Sequence, residues 1–439
     1  MQIKAFFRIT VTTFTILFVI DLMPHTAAGQ TEPAGADTVH VSPPTGDRTT
    51  DRASISQALE LVPPGGTIEF APGEYLMGGK GIRVQPSNVT LRGHREGTVL
   101  IGCPPGEQLA LNVEDFFESC NGLYLTGGGQ ALIDLTFEEF SLAVAIYGPD
   151  YAESGETVNR DGGHVIEENV FRNVLSVRVI SNADAPVVIR NNVFENVGHA
   201  AALSGRNIHV LGNRVSAWEP GRVPFSWPGV AIGLRPEGDA PCSDNRIEGN
   251  RIEGYYAEAI IIAVLPQDPA GAACTGNRLV RNVIDIRPLR LPAHAGDELA
   301  DKLSLAPAIR LLNMQRAVAL GTVEWPERWM PEGGWPTELM DGDVAGNFVE
   351  GNRIVGAIGI GIELVHASGN RVADNEIEVR PARTPEERAG LEWGGNLGPG
   401  LWLDRDNFDE TNGSSIWLSP GSDENEIIGN QVSGPNQRR

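Results

Sequence analysis

The sequence predicts an all-β fold, a β-solenoid in which short strands wind into stacked coils. Three observations predict it. A short phrase recurs along the chain: an Asn, a few residues of hydrophobic alternation, then another Asn or Gly. It reads Asn169-Val-Phe-Arg-Asn173, Asn192-Val-Phe-Glu-Asn196, Asn250-Arg-Ile-Glu-Gly254, Asn277-Arg-Leu-Val-Arg-Asn282, Asn352-Arg-Ile-Val-Gly356, Asn370-Arg-Val-Ala-Asp-Asn375 and Asn425-Glu-Ile-Ile-Gly-Asn430. Close copies lie roughly 20 to 24 residues apart, as from Asn192 to Asn213 and from Asn352 to Asn375, about one coil of three short strands. Composition agrees, with 52 glycines for turns and only 6% aromatics. No single phrase can bury its own apolar face, so the copies have to stack. A β-propeller fits less well, because such repeats are too short for a four-stranded blade.

Residues 1–29 read as a secretory signal: basic Lys4 and Arg8, an apolar run from Ile9 to Met23, then Thr26-Ala27-Ala28-Gly29 as a small-residue cleavage site. The alternative is an uncleaved anchor, but the run is short for a membrane span and Asp21 interrupts it. No later segment is long and apolar enough to cross a membrane. Residues 30–50, rich in Pro, Thr, Gly and Asp, read as a flexible lead-in. Between Asp51 and Val62, Ala53, Ile55, Ala58, Leu59 and Val62 fall on one helical face, with Asp51 as N-cap and Pro63-Pro64-Gly65-Gly66 as the stop. Coils follow to residue 434, and 435–439 form a tail. Three stretches interrupt them: 217–243, 287–345 and 381–400. The second holds a possible short helix at Asp297–Leu303 and a strand-like Ala308–Asn313.

The helix, then "PPGGTIEFAPGEYL", "GIRVQPSNVTLRG" and the Asn-rich repeats, resembles the N-terminal cap and first coils of the pectin-lyase-like superfamily. That resemblance implies a single-stranded right-handed parallel β-helix with an N-terminal capping helix and long loop insertions. It implies no single activity, because the superfamily hosts lyases, hydrolases, epimerases and non-catalytic proteins. Its lyases use Arg or Lys as base, often with calcium. The activity motifs of pectate lyases, polygalacturonases and alginate epimerases are absent here, so only the fold carries over.

A formal charge of −23 argues against a nucleic-acid partner, which needs a basic footprint. The only lysines are Lys4, Lys80 and Lys302, so cationic work falls to arginine. Four cysteines in an exported chain imply two disulfides with three possible pairings. Cys103–Cys120 and Cys242–Cys274 are preferred, since each staples a local excursion; free buried thiols are the alternative. Spacing does not favour a metal site, because no Cys-x-x-Cys occurs.

After each Asn phrase comes an aliphatic strand. If its aliphatics point into the coil, Arg178, Arg235, Arg310, Glu363, Trp402 and Asp404 point out on one face. Such a row suits an acidic polysaccharide, since Arg forks hold carboxylates and flat rings stack on sugars. The plain alternative is a solvated face of incidental ion pairs. Arg178, Arg235 and Arg310 are the candidates for proton abstraction next to a uronic carboxylate. Glu363 and Asp404 are the candidate carboxylate pair for hydrolysis, with Asp406 in reserve. His199, at a strand start, is a candidate base. His164, with Arg160 and Asp161, forms a second cluster. The eight tryptophans all follow residue 217. Trp218, Trp227, Trp329 and Trp402 are candidate stacking platforms, although Trp also staples loops. Calcium is a possible cofactor, with Asp404, Asp406 and Asp409 as a weak ligand set. The expected function is a secreted or periplasmic carbohydrate-active protein that acts on or binds an acidic polysaccharide along one face, as lyase or glycoside hydrolase if it is an enzyme. The alternative is a non-catalytic β-helix that binds through the same face.

Overall fold

Each coil contributes three short strands, one to each of three parallel sheets. The computed structural model describes residues 37–103, 120–148, 158–217, 230–266, 268–269, 271–290, 303–304, 307–319, 323–324, 342–387, 402–403, 414–419 and 421–433. Among these, sheet I has 12 strands, sheet II 10 and sheet III 11. Every pairing within them is parallel between successive coils, for example Val165–Glu167 with Val188–Arg190 in sheet I and Val170–Arg172 with Val193–Glu195 in sheet III. The fold is therefore the parallel β-helix that the repeats and the resemblance implied.

In-register stacking makes the lumen a set of apolar columns. One sheet I column runs Ile68, Leu91, Leu132, Ile166, Ile189, each paired with the next. In sheet III, Phe137, Phe171 and Phe194 stack face to face, with centroids 5.0 and 4.7 Å apart. Like side chains recur at one position per coil because each coil repeats the backbone geometry of the one before.

The recurrent Asn occupies the corner between sheets I and III. The backbone N–H and Nδ2 of Asn169 both donate to Oδ1 of Asn192, at 2.9 and 3.1 Å. Asn192 repeats this to Asn213, Asn213 to Asn250, Asn250 to Asn282 and Asn282 to Asn352. The ladder ends through Asn375 at Asn430. Each Nδ2 also donates back to a carbonyl of the preceding coil, as from Asn282 to Ile247. A second ladder runs Asn245, Asn277, Asn347, Asn370, Asn425 at the corner entering sheet I. The residue before each Asn of the first ladder takes a left-handed backbone, including Glu168, Asn191, Arg281 and Asp374 at φ 53 to 58°. Gly, Asn or Asp is therefore the usual predecessor, and Glu or Arg there is strained.

The helix that closes the N-terminal end runs Arg48–Leu61 and is capped by Asp47, which accepts from the Thr50 N–H at 2.9 Å. Asp51, expected as the cap, instead lies buried in the first turn. It accepts from Thr45 and from the Leu76 backbone, fastening helix to coil. Ile55, Ala58 and Leu59 face inward as the spacing predicted. The lead-in is shorter than expected, because Thr38–Val41 is already a rung of sheet I paired with Thr67–Phe70. The Asp297–Leu303 helix falls mostly outside the described residues. Both preferred disulfides are present, with Cα atoms 5.4 Å apart in Cys103–Cys120 and 4.4 Å apart in Cys242–Cys274.

His164 does not form a surface cluster with Arg160 and Asp161. It precedes the strand Val165–Glu167, two positions before lumen-facing Ile166, so alternation turns it into the coil. It is fully buried with neither ring nitrogen hydrogen-bonded, while Arg160 pairs outside with Asp239 at 2.5 Å. Burial holds the imidazole neutral and lowers its pKa to about 4. The unfolded chain takes up this proton near pH 6.5 and the folded chain only near 4, so the stabilisation is complete above 6.5 and is lost as pH falls toward 4. The loss amounts to roughly 3 kcal/mol. His164→Leu should therefore lose less stability than wild type between pH 7 and 4.5, as read from urea midpoints; equal losses would contradict this.

Candidate active site

Of the outward row expected from the sequence, Arg178, Arg310 and Glu363 fall on one register line of sheet II. Its register runs Tyr124, Ala145, Arg178, Ala202, Gly233, Ile261, Arg310, Glu363, Trp417 in successive coils. Arg178, Arg310 and Glu363 do lie outside the lumen. The structure sorts them, however, into two clusters of different character.

The first cluster is accessible and sits where three neighbouring strands of sheet II end. Arg178, on the strand Ser176–Ser181, forms a short ion pair through Nη2 with Glu237 Oε1. Arg235, just past the strand Val230–Leu234, places Nη2 3.6 Å from Glu237 Oε2. The Ser204 hydroxyl donates to the same oxygen at 3.2 Å. Glu237 is therefore forked between two arginines and a hydroxyl. It stands at the base of a tight turn in which Glu237 and Ala240 exchange backbone hydrogen bonds of 3.1 and 2.9 Å. Side-chain exposures of 34% for Arg178, 39% for Arg235 and 23% for Glu237 leave all three reachable from solvent. The Arg178 guanidinium also lies 5.9 Å from the centre of the Tyr147 ring. Burial alone would raise the Glu237 pKa, but Arg178, Arg235 and Ser204 outweigh it and hold the carboxyl below its ordinary value.

Asp268, in the turn after the strand Glu258–Val264, interacts electrostatically with Arg235 and Glu237. It is buried, and Oδ2 accepts from the Leu265 N–H at 2.6 Å. Gln315 Nε2 clamps the turn by donating to the carbonyls of Leu265, Asp268 and Pro269 at 3.0 to 3.2 Å. Burial raises the Asp268 pKa to about 6; the Leu265 N–H and Arg235 oppose the rise and Glu237 adds to it. One carboxyl of the cluster is thus held ionised and the other is poised to carry a proton near neutral pH. The two carboxyls are thus tuned in opposite directions.

The second cluster is closed. Arg310 bonds through Nη1 to Glu258 Oε1 and through Nε to Glu363 Oε2 at 2.5 Å. All three side chains are buried, which corrects the expectation that Arg310 and Glu363 face a ligand. Alternation does put them outside the coil, but the outer face is covered there, next to an apolar cluster of Leu312, Met314, Ala317, Ile360, Val365 and Trp417. Burial disfavours the Arg310 charge, yet Glu363 and Glu258 outweigh it and raise its pKa. Arg310→Met would strand two buried carboxylates. It should cost about 3 to 5 kcal/mol in chemical denaturation, whereas a loss under 1 kcal/mol would show that the triad is not closed.

His199 begins a sheet II strand, as expected, at the end opposite Arg235. Its Nδ1 lies 2.9 Å from the Val230 carbonyl. A carbonyl only accepts, so Nδ1 carries the hydrogen and Nε2 is the proton acceptor. Burial lowers its pKa, the Val230 bond opposes this and Arg235 reinforces it.

The remaining candidates part company with this face. Trp402 does not extend sheet II. Trp402–Leu403 forms a separate antiparallel pair with Val323–Glu324, and Ser414–Leu418 supplies the last sheet II strand. Trp218, Trp227, Trp329 and Asp404 lie outside the described residues, as do Asp406 and Asp409. Among the described residues, no group of three or more His, Cys, Asp or Glu is arranged to hold a metal ion. Sequence reasoning missed Glu237, Asp268, Glu258 and Gln315. The signals for the first two were modest: Pro236-Glu237-Gly238-Asp239 and Pro266-Gln267-Asp268-Pro269 are turn sequences directly after predicted sheet II strands.

No protein-family model matches the chain, and no curated protein matches it in sequence. Among solved structures it is similar to the catalytic unit of an α-1,3-glucanase from Streptomyces thermodiastaticus, at 15% identity and TM-score 0.45, covering 91% of this chain and 69% of that one. It is similar to the A-module of a mannuronan C-5 epimerase from Azotobacter vinelandii, at 13% identity and TM-score 0.41, covering 91% and 100%. It is also similar to an endo-xylogalacturonan hydrolase from Aspergillus tubingensis, at 10% identity and TM-score 0.45, covering 91% and 93%. The fold assignment rests on the strand registers, and these likenesses carry no argument about activity.

Proposed function

We propose that the protein is an exported carbohydrate-active β-helix protein that binds an acidic polysaccharide across the outer face of sheet II and hydrolyses it. Asp268 is the proton donor to the leaving sugar oxygen, Glu237 the ionised carboxylate that activates water, and Arg178 and Arg235 the cations that receive an acidic group of the glycan. The observation that carries this reading is the opposite tuning of two carboxyls that interact electrostatically with each other and with Arg235: Asp268 is raised to about 6 while Glu237 is lowered. Export is supported by the N-terminal signal-like segment and by two disulfides, which persist outside reducing compartments. A second reading, β-elimination with His199 as base, is supported by the tautomer that the Val230 carbonyl imposes.

The test is cleavage of a panel of acidic and neutral polysaccharides, with new reducing ends and the ultraviolet absorbance of unsaturated ends followed together. Hydrolysis by Asp268 requires its protonated form, so the rate should fall as pH rises through about 6. Asp268→Asn should lower the rate by about 100-fold or more while polysaccharide binding persists. Undiminished cleavage by that variant would overturn the assignment. Unsaturated ends lost in His199→Ala would transfer the reaction to the second reading.

A further inference from the structure

Resting on that reading, we infer that Glu237 is an internal stand-in for the substrate's carboxylate, and that an acidic sugar must displace it from Arg178 and Arg235 before Glu237 is free to act as base. Two partly exposed guanidiniums and one hydroxyl converge on a single carboxylate. That is the geometry by which arginines receive a carboxylate from a ligand. A carboxylate held this way is a poor base, because its lone pairs are engaged and its proton affinity is lowered.

The exchange is conservative. A uronic carboxylate entering between the arginines takes over the contacts that Glu237 leaves, so the guanidiniums stay paired throughout. Glu237, standing on the short turn closed by Ala240, moves only its side chain. Its proton affinity then rises toward that of an ordinary glutamate, and the freed oxygens can orient water. A neutral glycan offers the arginines nothing and leaves Glu237 locked. Selection for acidic sugars is thus coupled to assembly of the base, not merely to affinity.

The test is calorimetric binding by full-length protein, with oligogalacturonate, oligomannuronate and a neutral cello-oligosaccharide as probes. Glu237→Gln keeps the shape of the side chain but removes the competing charge. It should bind at least one uronic probe about tenfold more tightly than wild type, with the neutral probe unchanged. Arg178→Gln should abolish that gain when added to Glu237→Gln, and an unaltered melting temperature in each variant guards against misfolding. The inference is overturned if Glu237→Gln binds the uronic probes no more tightly, or if neither protein binds any of them. Tighter binding without cleavage by wild type would uphold the displacement of Glu237 by an acidic sugar while removing its role as base along with the hydrolytic reading, so the two fail separately.

Discussion

The structure depends on how the amides at its coil corners find partners. A solenoid corner turns the backbone away from the sheet, and it does so next to a dry lumen. An unpaired buried amide there would cost about 1 to 3 kcal/mol per coil. The two asparagine ladders remove that cost. Each Oδ1 accepts two bonds from the coil before, and each Nδ2 donates both backward and forward, as at Asn282. The capacity of the amide is fully used, and each coil is keyed to the next at a fixed corner. The ladder steps span 21 residues between Asn192 and Asn213 but 70 between Asn282 and Asn352. Insertions can therefore leave the stack without disturbing its register.

That freedom is what allows a site. Arg178, Ser204 and Glu237 come from three successive coils and meet because the rungs are in register. The same face shows two ways of treating charge. Where it is covered, Arg310 needs two carboxylates and becomes a closed structural knot. Where it is open, two arginines share one carboxylate and can exchange it for another. Burial, rather than residue type, separates the knot from the site, since desolvation makes an incomplete buried triad costly and an exposed ion pair cheap.

Much of this was legible in the sequence. The Asn phrases mark the ladders, and the left-handed residue before each Asn explains the preceding Gly, Asn or Asp. Alternation in the aliphatic strands correctly placed Arg178, Arg310 and Glu363 outside the lumen. It could not show that Arg310 and Glu363 are covered, because covering depends on chain distant in sequence. Trp402 was misplaced on sheet II because Leu401-Trp402-Leu403 carries the same local pattern as Ile416-Trp417-Leu418, which the structure puts there. Asp47 and Asp51 were confusable as caps because both are acidic and one turn apart. Glu237 and Asp268 were passed over because turn residues carry no periodicity, and what lies near them is a property of coil register alone.

The most direct measurement is a crystal structure of the Asp268→Asn protein soaked with an acidic oligosaccharide that wild type cleaves. The account predicts the sugar lying across the ends of the sheet II strands, with one of its carboxylates between Arg178 and Arg235 and the Glu237 side chain swung away. A sugar bound on sheet I or sheet III, or bound on sheet II with Glu237 still held by both arginines, would contradict it.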